Sequence, residues 1–408
     1  MSFVRSILLK KYNSQTLEKL TKALNELIPN CGMPLYTSID LRDSGTRLVA
    51  VDVNLFPAGF NNLSASSIER AVNEFRSFLE AKLPQKNTWK LGLVPESHTN
   101  NEGYLYHLLT LKNLLEKSGA EIRIAWSGMP IPKPWELKFN QNSLIYYPLS
   151  NVADWSDAII LNHDLSGGPL EALKDYQKAI FPNPELGWYK RRKSEHFGIA
   201  LKVLKNISAK VPELDIHDFM ADSKAVSSLD FSKKEDVERL MAEASDFLEK
   251  IKQKKSSAEK NERPFVYIKN DSGTYGLGIW SFSTLDELRD ATKALQKIFA
   301  RGKQGTQVRR VILQEGISTR LVVSEGDHVE FEPVVYSVNG NKIGSFFRYS
   351  YSAKGALGES NLNRPGSWFE ESSRYPEDHD HMRSLYTFVA LLHSVSAALE
   401  DCPCGEFK

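Results

Sequence analysis

Phe265-Val266-Tyr267-Ile268-Lys269-Asn270-Asp271-Ser272-Gly273-Thr274-Tyr275-Gly276-Leu277-Gly278-Ile279-Trp280-Ser281-Phe282 decides how the chain is read. Two strand-like apolar runs flank a glycine-rich turn, the pattern of a β-hairpin. Without a Cβ at 273, 276 and 278, the backbone N–H groups of Gly273, Thr274, Tyr275, Gly276 and Gly278 can approach a phosphate closely, and Lys269 at the strand end can supply a point charge. No Gly-Lys-Ser/Thr follows, so this is not a Walker loop. Nor are the glycines spaced as the G-x-G-x-x-G of a dinucleotide site between strand and helix. Taken alone, the glycines suit a purely structural hairpin equally well. After Ser283, read as an N-cap, Leu285, Leu288, Ala291, Leu295, Ile298 and Phe299 mark an amphipathic helix ending near Gly302.

Downstream, Arg310-Val311-Ile312-Leu313-Gln314-Glu315-Gly316-Ile317 is an apolar strand ending in a carboxylate and a glycine. Gln314, Glu315 and Ile317 are therefore candidates for an adenine edge and a ribose. The next strand, Val329–Tyr336, places Glu330 and Glu332 on one face at period two. Glu359-Ser360-Asn361-Leu362-Asn363 again projects oxygen ligands from one side if extended. Mg²⁺ prefers carboxylate and amide oxygens alongside phosphate oxygens, which makes Glu332, Glu359 and Asn361 the candidate metal ligands. Arg348, between the two acidic segments, can hold a carboxylate or acyl phosphate bidentately.

The 408 residues suggest two or three domains, and 41% hydrophobic, 25% charged and 10% aromatic residues are ordinary for a globular chain. A net charge of +1 argues against nucleic acid as a partner. No signal-like leader and no apolar run near the roughly 20 residues of a membrane span is read, so the expected location is cytoplasmic. Cys31, Cys402 and Cys404 read as ordinary thiols, since they cannot all pair and lack a zinc-type ligand set.

Up to about residue 180, strands at Leu48–Val53, Leu91–Val94, Ile122–Trp126, Leu144–Tyr147 and Ala158–Leu161 alternate with helical patterns at about 64–83 and 104–118, the pattern of an open α/β sheet. Two polar loops, 95–102 and 162–168, are either substrate walls or simple turns. From about 185 to 262 the pattern is helical and charged, with Val237, Leu240, Met241, Ala244, Phe247, Leu248 and Ile251 on one face. The run Lys190-Arg191-Arg192-Lys193 reads by itself as a solvated or structural patch.

The order of a leading domain, a lysine, a second lysine with a glycine hairpin, a strand ending in Gln-Glu, then Glu and Glu-x-Asn resembles the ATP-grasp ligases. Within them, Ser38-Ile39-Asp40-Leu41-Arg42-Asp43-Ser44-Gly45, Val51-Asp52-Val53-Asn54-Leu55-Phe56-Pro57-Ala58-Gly59-Phe60-Asn61-Asn62-Leu63, Gly187–Phe197 and Glu359–Gly366 are similar to the ATP-grasp glutamate–cysteine ligases of proteobacteria. The resemblance spans about residues 30 to 370. It implies an ATP-grasp fold of mixed α/β (α+β) class preceded by an open α/β domain: 1–180 on the substrate side, 181–310 with the helical segment and lid hairpin, and 311–408 with the metal ligands. It also matches Lys193 and Lys269 to the two nucleotide lysines.

The implied reaction is ATP- and Mg²⁺-dependent. The γ-phosphoryl group passes to the side-chain carboxylate of glutamate, and the amine of cysteine attacks the acyl phosphate to give γ-glutamylcysteine. Lys193, Lys269 and Arg348 are the expected catalytic cations. Asp40, Arg42, Asp52, Asn54, Asn61 and Asn62 are the candidates for the amino-acid substrates, because a zwitterion needs an anion for its ammonium and a cation for its carboxylate. Asp40 and Arg42 would equally suit buried structural salt bridges. Two rivals stand beside this reading: another ATP-grasp carboxylate–amine ligase, and a catalytically silent nucleotide-binding protein.

Overall fold

The computed structural model describes residues 7–84, 88–254, 263–273, 279–299, 308–324, 327–351, 367–371 and 379–402. In chain order the first elements are α1 (Leu8–Lys11), α2 (Ser14–Asn25), β1 (Tyr36–Asp43), β2 (Leu48–Asn54), α3 (Ala65–Lys82), β3 (Trp89–Pro95), α4 (Glu102–Lys117), β4 (Ala120–Trp126), β5 (Trp135–Phe139), β6 (Asn142–Pro148), α5 (Leu149–Trp155), β7 (Ala158–Asn162) and β8 (Ala179–Phe181). Then follow α6 (Lys193–Lys210), α7 (Ile216–Phe219), β9 (Ser223–Val226), α8 (Lys234–Lys254), β10 (Val266–Asn270), β11 (Trp280–Phe282), α9 (Leu285–Phe299), β12 (Val311–Glu315), β13 (Leu321–Ser324), β14 (Asp327–Val338), β15 (Asn341–Tyr351), β16 (Trp368–Glu371) and α10 (His379–Asp401).

These strands form three sheets. One has the order β5-β6-β4-β3-β7-β8, parallel except for the β5 edge. Its central strands β3 and β7 read as nearly continuous apolar runs because helices cover both faces, while β5 and β6 toward one edge are partly exposed. Packing there is tight: a Cβ on Gly92 would lie 2.6 Å from both Ile159 Cδ1 and Val152 Cγ1.

A second sheet has the order β16-β15-β14-β1-β2, with β13 beside β14. The Leu48–Asn54 strand, expected in the open sheet with the others, belongs here instead, paired with β1, and β1 pairs with β14. On one face Ile39, Leu41, Val53, Phe331, Val335 and Phe347 pack with α10, α2 and α6. The other face is divided along its strands. At one end Tyr36, Val334, Tyr336 and Phe346 join Phe60 and α3 in a second core. At the other end the inward side chains become Asp40, Arg42, Glu330, Glu332 and Arg348. The buried carboxylates Glu330 and Glu332 are therefore not the solvated pair usual on a strand face.

The third sheet, β11-β10-β12-β9, is antiparallel and backed by α8 and α9. The expected hairpin forms its edge, with Val266 opposite Phe282. The helix expected after Ser283 spans Leu285–Phe299. Thr284, not Ser283, takes the capping position: its Oγ1 accepts from Glu287 N–H (3.2 Å), while the Glu287 carboxylate accepts from Ser283 N–H (2.7 Å), a reciprocal arrangement close to a capping box. By length and composition Met382–Asp401 in α10 could cross a membrane. It is a core helix here, with 72% of that stretch buried.

Candidate active site

The charged end of the second sheet faces the third. Register sets Arg348 of β15 directly opposite Glu332 of β14, and Asp40 of β1 opposite Asp52 of β2, with a bulge at Asp40/Leu41 that re-aims the strand. Arg348 Nη1 reaches Glu332 Oε1 (2.6 Å) and Asp40 Oδ2 (3.1 Å), and Arg42 Nε reaches Glu332 Oε2 (3.2 Å). Burial pushes the Asp40 carboxyl up to about 7; Arg348 opposes that rise, and Glu332 and Asp52 add to it. Asp40, Arg42, Glu332 and Arg348 thus form one buried chain of alternating charge.

Across from it, Lys269 projects from β10. Its Nζ donates to Gln314 Oε1 (2.7 Å) on β12 and to Val51 O (3.3 Å) on β2. Burial lowers this ammonium to about 8; Asp52 resists the shift and Lys193 adds to it. Lys193 is the first residue of α6 and pairs with the Asp52 carboxylate, while its Nζ also lies 4.6 Å from the Trp188 ring centre. Burial opposes ionisation of Asp52, but Lys193, Lys269 and Arg191 hold its carboxyl below the usual range. Two buried donors point into this region without a partner among the described residues: Gln314 Nε2 and Arg348 Nε.

The supports are built from residues far apart in sequence. Asp271, just past β10, accepts from Ser194 N–H (2.8 Å) and Ser194 Oγ (2.7 Å), and its carbonyl accepts from Lys193 N–H (2.8 Å). It therefore caps α6 from another element and fixes one lysine relative to the other. Arg191, in the basic run, is structural. It grips Glu400 of α10 through Nε (2.7 Å) and Nη2 (3.1 Å), donates to Val53 O (2.7 Å), and its guanidinium lies 4.9 Å from the Trp188 ring.

Glu315 sits in the expected strand, but Arg47 holds its carboxylate at 2.6 and 3.0 Å, and one oxygen also accepts from Asp222 N–H (3.0 Å). Its neighbour Ile317 packs with Val49, Val51 and Ala221, an apolar wall beside the lysines.

Asn54 Nδ2 is 3.5 Å from Asp52 Oδ2, next to the lysines. Asn61 and Asn62 sit on a short 3-10 turn whose approach is fastened at three points. Asn162 Nδ2 donates to Pro57 O (2.9 Å), Tyr336 O–H donates to Ala58 O, and Phe60 N–H donates to His107 Nδ1 (3.4 Å). Burial lowers His107 to about 4, so the ring is neutral and its Nε2–H donates to Asn162 Oδ1 (2.8 Å). Gly59 has φ +88°, and a Cβ there would lie 2.7 Å from the Tyr336 hydroxyl, so only glycine fits. The two polar loops are joined, with Asp164 N–H donating to Glu96 Oε1 (2.9 Å). Gly273 has φ +101° at the start of the hairpin turn. Thr274, Tyr275, Gly276, Gly278, Glu359 and Asn361 lie outside the described residues.

A glutamate–cysteine ligase family model matches residues 13–400. The chain belongs to the glutamate–cysteine ligase family. A protein of Methylobacillus flagellatus KT, provisionally named gamma-glutamylcysteine synthetase, is similar over 96% of this chain and 95% of its own, at 29% identity and a TM-score of 0.84. D-cycloserine synthetase DcsG is 13% identical over 76% of this chain and 82% of its own, with a TM-score of 0.40. D-alanyl-alanine synthetase A from Vibrio cholerae is 9% identical over 76% and 82%, with a TM-score of 0.35. No curated protein matches the chain. The fold of this family member is mixed α/β, with one largely parallel and two other sheets among the described residues.

Sequence reasoning assigned no role to Arg47, Trp188, Asp271, His107 or Glu400. Only Asp271 carried a local signal, as an acidic residue inside the phosphate-type loop; the partners of the others lie far off in the chain.

Proposed function

We propose that this protein joins the γ-carboxylate of L-glutamate to the amine of L-cysteine, with ATP converted to ADP and phosphate, giving γ-glutamylcysteine for glutathione synthesis in the cytoplasm. The observation that carries the reading is a pair of lysines beside the unpaired Gln314 Nε2, facing a zwitterion-matching row of charges in which Arg348 Nε is likewise unpaired among the described residues. Anionic phosphoryl oxygens satisfy Lys193, Lys269 and Gln314 Nε2. Ile317 with Val49 and Val51 offers the apolar surface that an adenine ring requires. Glu315 serves by holding Arg47 rather than by facing the ribose.

Arg348 Nε is placed to donate to the reacting carboxylate and then to the acyl phosphate, while Asp40 and Asp52 offer anions to substrate ammonium groups. Asn54, Asn61 and Asn62 supply neutral donors and acceptors beside them. The chemistry is then mainly positioning and charge neutralisation, without a covalent enzyme intermediate. In this division of labour residues 1–180 carry most of the amino-acid side, 181–310 cover the nucleotide, and 311–408 bring Glu332, Arg348 and the Glu-x-Asn segment.

ATP-grasp ligases use Mg²⁺ with ATP, and here Glu332 fits a metal poorly. Both Glu332 oxygens are engaged by Arg42 and Arg348, so a cation would have to displace a guanidinium; Glu359 and Asn361 remain the other candidates.

The test is phosphate release and product mass with purified protein, ATP and amino acids. Release that requires glutamate and cysteine together, with γ-glutamylcysteine formed, is expected. Release only with a different amino-acid pair would make the protein another carboxylate–amine ligase, and nucleotide binding with no productive pair would make it a silent binder.

A further inference from the structure

Away from the site, the turn after α2 meets the end of α10. Cys31 Sγ donates to Ala398 O (3.8 Å) and is also 3.9 Å from its neighbour's carbonyl, Gly32 O. Ala398 lies one helical turn before Cys402, and the thiols of Cys31 and Cys402 are within hydrogen-bonding reach of each other. We propose that Cys31 and Cys402 are a modification site, a dithiol that closes to a reversible disulfide and fastens the end of α10 to the turn before β1.

Three observations favour closure in place. Lys82 Nζ donates to Cys31 O (2.9 Å), and Asn183 Nδ2 donates to Asp401 Oδ1 (2.6 Å), so the main chain at Cys31 and the side chain next to Cys402 are already held. Cys31 Sγ already lies against the Ala398 carbonyl, one helical turn from Cys402, and the two thiols interact, so closure asks for a short approach of side chains that already face each other. Cys31 is exposed and Cys402 partly so, and a cleft of about 290 Å³ lined by Cys31, Lys82, Asn183 and Asp401 opens beside them. A small reagent can therefore reach the pair.

The oxidant is a low-molecular-weight disulfide. One cysteine thiolate attacks it, breaking its S–S bond and forming a mixed disulfide while the leaving thiolate takes a proton. The second cysteine gives its proton to solvent and displaces the remaining half as a second thiol. Two cysteines are oxidised by two electrons, and one small disulfide is reduced to two thiols. Partial burial and the neighbouring Cys402 push the Cys31 thiol up to about 11, so closure is slow near neutrality and accelerates as pH rises.

The full-length protein, treated with oxidised glutathione, is mapped by peptide mass and its thermal midpoint compared with the reduced form. A Cys31–Cys402 cross-link and a midpoint raised by about 5 °C are expected, because the bridge closes a very long loop of the unfolded chain. Dithiothreitol reverses both. Cys31→Ser and Cys402→Ser remove the cross-link and the shift, and Cys404→Ser keeps both. Thiols that stay free, glutathione adducts without a bridge, a bridge made through Cys404, or an equal midpoint shift in Cys31→Ser would each overturn the proposal. The comparison of oxidised and reduced parent protein decides the matter even if a variant folds poorly.

Discussion

The parallel sheet and the β16-β15-β14-β1-β2 sheet are both buried, yet they are made of opposite materials. The first is apolar on both faces at its centre: Leu91, Leu93, Ile124, Ile159 and Ile160 are 1% exposed or less. The second carries Arg42, Glu330 and Glu332 under nearly the same cover, with Asp40 and Arg348 a little more open beside them. Burying charge is costly unless it is paired, and pairing in a dry interior seldom improves on apolar packing. The contrast therefore separates a sheet that supplies stability from one that spends stability on chemistry.

The sharpest way to break that comparison is Arg348→Met. It strips the shared guanidinium from Asp40 and Glu332, and a loss of about 3–5 kcal/mol in urea unfolding is expected, along with turnover. A neutral result would make the charged row ornamental. Lys269→Ala should leave stability near normal, because it removes a desolvated cation, while cutting phosphate release by about 10²–10³-fold. Gly92→Ala probes the other sheet: the added methyl should cost about 1–3 kcal/mol of stability with kcat intact. A larger effect on kcat than on unfolding would show that the parallel sheet also tunes chemistry.

The smallest expected effect is on pH dependence. Lys269 in the free enzyme loses its proton as pH rises through about 8, and the protonated form binds phosphate, so kcat/KM for ATP should fall about fivefold between pH 8 and 9. Lys269→Arg, which stays charged, should abolish that fall if it retains activity; a parent profile flat to pH 9 would sever the link between burial of Lys269 and nucleotide binding.

The same contrast explains what the sequence revealed. The parallel strands were legible because an apolar run bounded by polar loops is itself the signal of a strand covered on both faces. β1 was not legible as a strand: its inward residues are Ser38, Asp40 and Arg42, and the apolar-and-polar alternation normally marks a solvated face. Its motif residues were nonetheless visible as chemistry. Strand periodicity put Glu330 and Glu332 on one face, while Lys269 stood out at a strand end beside the glycines and Arg348 between two acidic segments; that Arg348 faces Glu332 is a matter of register. The engagement of Glu315 by Arg47 could not be, since 268 positions separate them and no local pattern records such a meeting.

That β1 finds its neighbour in β14 also sets a schedule. When Tyr36–Asp43 leaves the ribosome, Asp327–Val338 is still about 280 residues from being made, an interval of roughly 15–60 s at cellular synthesis rates. Throughout it the nascent strand must stay soluble with one edge bare. Asp40 and Arg42, buried once the sheet closes, are in that interval the hydrated charges that keep the waiting edge from pairing with the wrong chain.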